Sequence, residues 1–155
     1  MNSIVRAPLP TQSRSAPGTA AAPNAVVAGE QKRILYIDDD EPLLWLMTHV
    51  LERRGYSVSA YSNANDALAA ARANPGDFDL AITDYSMPGM SGLEVAAALH
   101  EIRADLPVAL VSAYMNDEVR ARAPAAGVGE IIQKSGTLDE MCDAVARMAH
   151  PGLAP

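Results

Sequence analysis

A doubly wound α/β domain, one open parallel sheet with helices on both faces, is the fold class this sequence predicts. Three observations lead there. Short apolar runs of strand length alternate with amphipathic helical stretches from Lys32 onward, giving five strands and five helices. The connections between them are short, and right-handed crossovers then leave few topologies. The chain has 155 residues, 49% apolar and 20% charged, so one ordinary domain can bury a core without disulfides or a structural metal.

Each element has a local reason. Arg33–Ile37 (RILYI) is an apolar run of strand length. Glu41–Arg54 is helical, because Leu43, Leu44, Met47, Val50 and Leu51 recur at three- and four-residue steps. Asp40 is its N-cap, Pro42 sits in the first turn where a missing N–H does no harm, and Gly55 ends it. Tyr56–Tyr61 alternates like a strand, and Ala64–Ala73 is a helix stopped by Asn74-Pro75-Gly76. Asp79–Thr83 is a strand, Ser86–Gly92 a loop, and Gly92–Arg103 a helix with Leu93, Ala96, Ala97 and Leu99 inward. Pro107–Val111 is a strand, and Asn116 to Ala123 a short helix ended by Pro124. Gly129–Gln133 is the last strand and Leu138–Met148 the last helix, with Leu138, Met141, Val145 and Met148 inward. At this size the natural strand order is the flavodoxin-like 2-1-3-4-5.

Residues 1–31 differ from the rest. Pro8, Pro10, Pro17 and Pro23 stand among Ala, Ser and Gly, with no aromatic residue, and predict a disordered arm. The prolines interrupt every apolar stretch that could serve as a secretory signal. The domain then spans 32–149, followed by a short tail, 150–155. An initiating Met1 and a long arm lead us to expect a free-standing protein with no fused output domain. Arg6 and Arg14 against Glu30 leave the arm at +1, so of the net charge of -7 the remainder carries -8. That balance argues against gripping nucleic acid or an anionic membrane by bulk charge. The single Cys142 excludes a disulfide framework and a Cys-rich zinc site, and reads as helix packing. His49, His100 and His150 have no metal-ligand spacing, and no apolar run nears the ~18 residues of a membrane span. Trp45 and the methionines at helical spacing read as core or interface.

The strand ends carry the chemistry. Asp38 and Asp39 follow the first strand, Asp84 the third, Ser112 the fourth and Lys134 the fifth. In a parallel sheet all carboxyl ends share one edge. In the 2-1-3-4-5 order the first and third strands are neighbours, and the crevice between their ends is where ligands bind. Asp38, Asp39 and Asp84 would repel one another there unless a cation joins them. Oxygen ligands without Cys or His favour a hard ion, and Mg²⁺ suits few carboxylates plus phosphate oxygens better than Ca²⁺ does. Mg²⁺ and Lys134 together would neutralise the three aspartates, and Ser112 and Lys134 can serve an incoming phosphoryl group. The inventory suggests phosphoryl chemistry without choosing the nucleophile. Each residue also has a plainer role open to it. Asp40 reads as a helix cap, Asp84 and Ser112 could be loop residues, and Lys134 could be a surface cation.

The runs ILYIDDDEPLL, ITDYSMPGMSGLEV, ALVSAY and IIQKS, in that order at strand ends, resemble the receiver domain of bacterial two-component response regulators across residues 32–149. In detail they look similar to receivers attached to hybrid sensor histidine kinases. The resemblance implies that Asp84 is the phosphoacceptor, taking a phosphoryl group from a histidine of a sensor kinase or phosphotransfer domain. It implies Mg²⁺ as the cofactor, with Asp39 a direct ligand, Asp38 bound mostly through water, Asp84 a ligand, and the Ser86 backbone carbonyl completing the set. Ser112 would turn toward the phosphoryl oxygens and Lys134 would pair with them. A carboxylate nucleophile flanked by cations is chemically suited to this. A cytoplasmic signalling module, not an enzyme on external substrates, is implied. Its partners would be the kinase or phosphotransfer domain, a downstream protein and, on phosphorylation, a second copy, with no direct nucleic-acid or membrane contact.

Three departures from the family pattern matter, the third involving two positions. Ser135 stands where a proline usually follows the lysine. Ile131 replaces an aromatic residue whose rotation reports phosphorylation. Tyr114, two beyond Ser112, and Ser86, two beyond Asp84, occupy positions that influence hydrolysis, and Tyr114 is expected to shield an acyl phosphate. Two rival functions follow: a receiver-like binding module that is never phosphorylated, and a small Mg²⁺ phosphohydrolase. The latter needs an Asp-x-Asp followed by a small or hydroxyl residue and a cap insertion, whereas Asp40 is followed by Glu41-Pro42. Output is expected through the fourth helix, last strand and last helix.

Overall fold

The computed structural model describes residues 30–153. Most of the arm, 1–29, and the last two residues of the tail lie outside the described residues. Strand β1 (Arg33–Ile37) leads to α1 (Glu41–Arg53), β2 (Ser57–Tyr61), α2 (Ala64–Ala73), β3 (Leu80–Asp84), α3 (Gly92–Ile102), β4 (Val108–Ser112), α4 (Asp117–Arg122), a 3-10 turn (Pro124–Ala126), β5 (Glu130–Gln133) and α5 (Leu138–Ala149). All four strand pairings are parallel and the order is 2-1-3-4-5. The expected class and order are therefore those of the molecule.

Strand alternation divides the core in two. Leu35 and Ile37 point to the side covered by α2, α3 and α4, where they meet Leu68, Leu99 and Val119. Ile34 and Tyr36 point to the other side, against Leu44, Met47 and Leu51 of α1 and Met141 and Val145 of α5. The central strands β3 and β4 are buried along their whole length, as a sheet covered on both faces requires.

The helices begin where their caps dictate. Asp40 Oδ1 accepts the Leu43 N–H at 3.1 Å. Ser91 with Glu94, and Thr137 with Glu140, form reciprocal capping boxes at the starts of α3 and α5. Those helices are the ones that follow the Asp84 and Lys134 loops.

Some expected inward positions are corrected. Ala97 is exposed, and Val95 takes its place on the buried face of α3. Leu138 is 43% exposed, because it is the first residue after the Thr137 cap and the packing stripe of α5 starts at Met141. Of the two readings for Trp45, core or interface, its 63% exposure removes the first, and its ring lies beside His49 with centroids 4.2 Å apart. Cys142 is buried in the α1–α5 layer, as a packing residue should be.

Candidate functional site

Pairing of Ile37 with Thr83 and of Asp84 with Val111 aligns the carboxyl ends of β1, β3 and β4. Asp84 and Ser112 prove to be the last residues of their strands, not the first residues beyond them. Among the described residues the buried polar ones are Asp38, Thr83, Asp84 and Ser112, all at this edge. A fold that spends its desolvation cost in one place has a reason to do so there.

Asp38 is wholly buried and Asp84 is 3% exposed. Lys134 bridges them, its Nζ lying 3.2 Å from Asp38 Oδ2 and 3.2 Å from Asp84 Oδ1. Backbone donors complete the frame: the Asp40 N–H reaches Asp38 Oδ1 at 2.9 Å and the Ser86 N–H reaches Asp84 Oδ2 at 3.1 Å. The loop after β5 brings Lys134 in by extending the ladder one step, with its N–H on the Ser112 carbonyl at 2.8 Å. The peptide bonds of the described residues are all trans, that between Lys134 and Ser135 included.

Two buried carboxylates share one ammonium, so negative charge is in excess. Burial, then the neighbouring Asp38 charge, pushes the Asp84 carboxyl up against the opposing pull of Lys134 and the Ser86 N–H. Burial pulls the Lys134 ammonium down, but Asp38 and Asp84 outweigh it and the net shift is upward. Lys134 thus stays charged through neutral pH.

Asp39 is exposed and its carboxylate turns into the same crevice. Asp38, Asp39 and Asp84 each offer one oxygen, all within 4.8 Å of one another. Three carboxylate oxygens with no Cys or His form the hard-ligand set that Mg²⁺ takes, so the donors present fit that ion. The Ser86 carbonyl is carried as a further ligand on the family resemblance alone.

Ser112 is placed at the edge, but its hydroxyl is engaged elsewhere. It donates to the Tyr114 carbonyl at 2.7 Å and accepts the Tyr114 N–H at 3.3 Å, closing a tight turn on itself. The Tyr114 side chain is 82% exposed. Ile131 is half-buried on β5.

Sequence reasoning missed two residues here. Gly92, at the start of α3, lies against the end of β3: a Cβ there would stand 2.3 Å from the Asp84 carbonyl oxygen and 2.9 Å from Tyr85 Cα. Tyr36 lies under Asp38 with its hydroxyl 3.5 Å from Asp38 Oδ2. Its signal was the two-residue spacing that puts 36 and 38 on one face of the strand.

The sequence and fold around this edge match those of known proteins. The family model described as the response regulator receiver domain matches residues 34–146, and the chain belongs to that family. It is 31% identical over 109 residues to the two-component response regulator ARR10 of Arabidopsis thaliana, a match covering 70% of this chain and 20% of that protein. It is 32% identical over 115 residues to the C4-dicarboxylate transport transcriptional regulatory protein DctD of Rhizobium meliloti, covering 74% and 24%. The matched stretch thus spans about a fifth to a quarter of those relatives. Among solved structures, the CheY-like receiver domain protein of Methanospirillum hungatei is similar at TM-score 0.73 and 28% identity, covering 79% of this chain and 96% of that one. The response regulator TrrA of Thermotoga maritima, in complex with Mg(2+)-BeF, is similar at TM-score 0.65 and 31% identity, covering 76% and 99%. The family is a signalling family and not a family of conventional enzymes. No described helix is long and apolar enough to cross a membrane.

Proposed function

We propose that this chain receives a phosphoryl group on Asp84 from a phosphohistidine of a sensor kinase or phosphotransfer protein, in a Mg²⁺-dependent reaction, and signals the change to another protein. One observation carries the reading: Asp84, nearly buried, shares Lys134 with Asp38 and lies within reach of Asp39 at the switch-point edge. A response regulator similar to this chain, from Burkholderia pseudomallei, has been solved with a phosphorylated aspartic acid, which supports the same assignment.

In the transfer an Asp84 carboxylate oxygen attacks phosphorus. The P–O bond forms as the P–N bond breaks, and the departing imidazole nitrogen keeps the electron pair and takes up a proton. Lys134 pairs with the phosphoryl oxygens and holds Asp38 and Asp84 together before transfer. Asp38, Asp39, Asp84 and the Ser86 carbonyl would hold the cation. Bound Mg²⁺ would offset the excess negative charge and stabilise that developing on the phosphoryl group. Ser112 must release the Tyr114 carbonyl before its hydroxyl can serve a phosphoryl oxygen, which ties occupancy of the site to the loop leading into α4. We assign output to the surface of α4, β5 and α5. Amide exchange across residues 112–138 should change on phosphorylation, and unchanged exchange would exclude that surface. The cytoplasm is the proposed location.

Intact mass after exposure to acetyl phosphate tests the assignment. One phosphoryl group should be gained with Mg²⁺, and none with excess chelator or in Asp84→Asn. A protein that gains no phosphate under any condition would instead be the non-phosphorylated binding module.

A further inference from the structure

We propose that Tyr36 is a positioning residue for the metal site, its buried hydroxyl holding the Asp38 carboxylate in place for the divalent cation. The inference rests on the reading of Asp38 as part of that site.

Tyr36 is wholly buried within the α1–α5 layer, and among the described residues its hydroxyl makes its hydrogen bond to Asp38. An aliphatic residue would fill this position as well as Ile34 fills its own. A phenol adds one thing, a hydroxyl at the inner end of the site. Because 36 and 38 share a strand face, the ring runs up beneath Asp38, and its hydroxyl meets Oδ2 at 3.5 Å. An ionised carboxylate only accepts, so the phenol proton points at it.

The donors around Asp38 divide by function. Oδ1 is held by the Asp40 N–H at 2.9 Å and Oδ2 by Tyr36, with Lys134 contacting both oxygens at 3.3 and 3.2 Å. Lys134 is the donor a phosphoryl group would draw away. Asp40 N–H and Tyr36 hydroxyl would then remain to fix the plane of the carboxylate, one on each oxygen. Hydrogen bonds of this kind, one step behind a metal ligand, set its orientation, and their removal commonly weakens metal binding by about tenfold or more.

The test compares Tyr36→Phe, which keeps the ring and deletes the hydroxyl, with Tyr56→Phe, which deletes a hydroxyl in the same layer away from the site. Calorimetric titration with Mg²⁺ should give a Kd raised about tenfold in Tyr36→Phe and unchanged in Tyr56→Phe. In wild type labelled with 13C at tyrosine Cζ, saturating Mg²⁺ should move the Tyr36 resonance and leave that of Tyr56 still, a readout that needs no variant to fold. Equal Mg²⁺ affinity in wild type and Tyr36→Phe, or a Tyr36 resonance indifferent to Mg²⁺, overturns the inference while leaving the site intact. A wild type that binds no Mg²⁺ overturns the site reading and the inference with it.

Discussion

Charged side chains gather at both poles of the sheet, and the two gatherings are built differently. At the amino pole Arg33 pairs with Asp77 at 3.3 Å and Asp79 at 3.7 Å, and adds the Gly76 carbonyl, all partly or largely exposed. At the carboxyl pole Asp38 and Asp84 are buried and share the single Lys134. Each sets two carboxylates against one cation, but the first leaves that imbalance open to water and serves to tie a loop to a strand. The second leaves the same imbalance on two carboxylates that are buried. Unbalanced charge at a buried site favours the uptake of a further cation or a proton there.

The sharpest way to separate the poles is to remove the cation of each. Lys134→Ala leaves two buried carboxylates unpaired, and should destabilise the metal-free protein by about 3 kcal/mol in urea unfolding. Added Mg²⁺ should restore part of that loss. A loss no larger than that of a surface pair would mean that the carboxyl pole is nothing more than an ordinary ion pair. Gly92→Ala drives a methyl group against the Asp84 carbonyl, and should cost about 2 kcal/mol while slowing phosphoryl uptake. Normal uptake in a folded Gly92→Ala protein would contradict the close fit.

Asp84→Asn has the opposite sign. Because the folded-state pKa of Asp84 is raised, its ionised form opposes folding. The variant should melt a few degrees above metal-free wild type at neutral pH. That gap should shrink as pH falls through the raised value, and vanish below the ordinary carboxylate range. A wild type more stable than the variant without metal would show Lys134 to have fully compensated the site. At the amino pole Arg33→Ala should cost no more than about 1 kcal/mol, and raised salt should shrink the difference. Smallest is Glu94→Gln at the α3 capping box, where the Ser91 N–H and hydroxyl hold the Glu94 carboxyl below its usual range. Its contribution is present above that range and lost as pH falls through the lowered value, so melting of wild type and variant should converge in acid.

Much of this was legible beforehand because parallel sheets convert sequence order into spatial order. Asp38, Asp39, Asp84, Ser112 and Lys134 converge once strands are recognised, and strand ends agreed to within a residue. Helix faces were less legible where alanine carries the pattern: Ala96 and Ala97 give the same signal, and only packing of α3 against its neighbours buries one and exposes the other. Leu138 and Trp45 are apolar yet lie outside the stripes set by Met141 and Leu44. The Ser112 hydroxyl turns on a single torsion, which composition does not encode. Tyr36 was hidden by reading as core, which it also is. The arm's expected disorder falls on residues 1–29, outside the described part of the chain.

The central claim is that Asp84 is the side chain that carries the phosphoryl group. Borohydride reduction of the phosphorylated protein, followed by peptide mass mapping, reads the position directly, since an aspartyl phosphate is reduced to homoserine and a free carboxylate is not. The account predicts homoserine at position 84 and at no other aspartate. Homoserine at position 38 or 39, or none in protein that has gained phosphate, would contradict it.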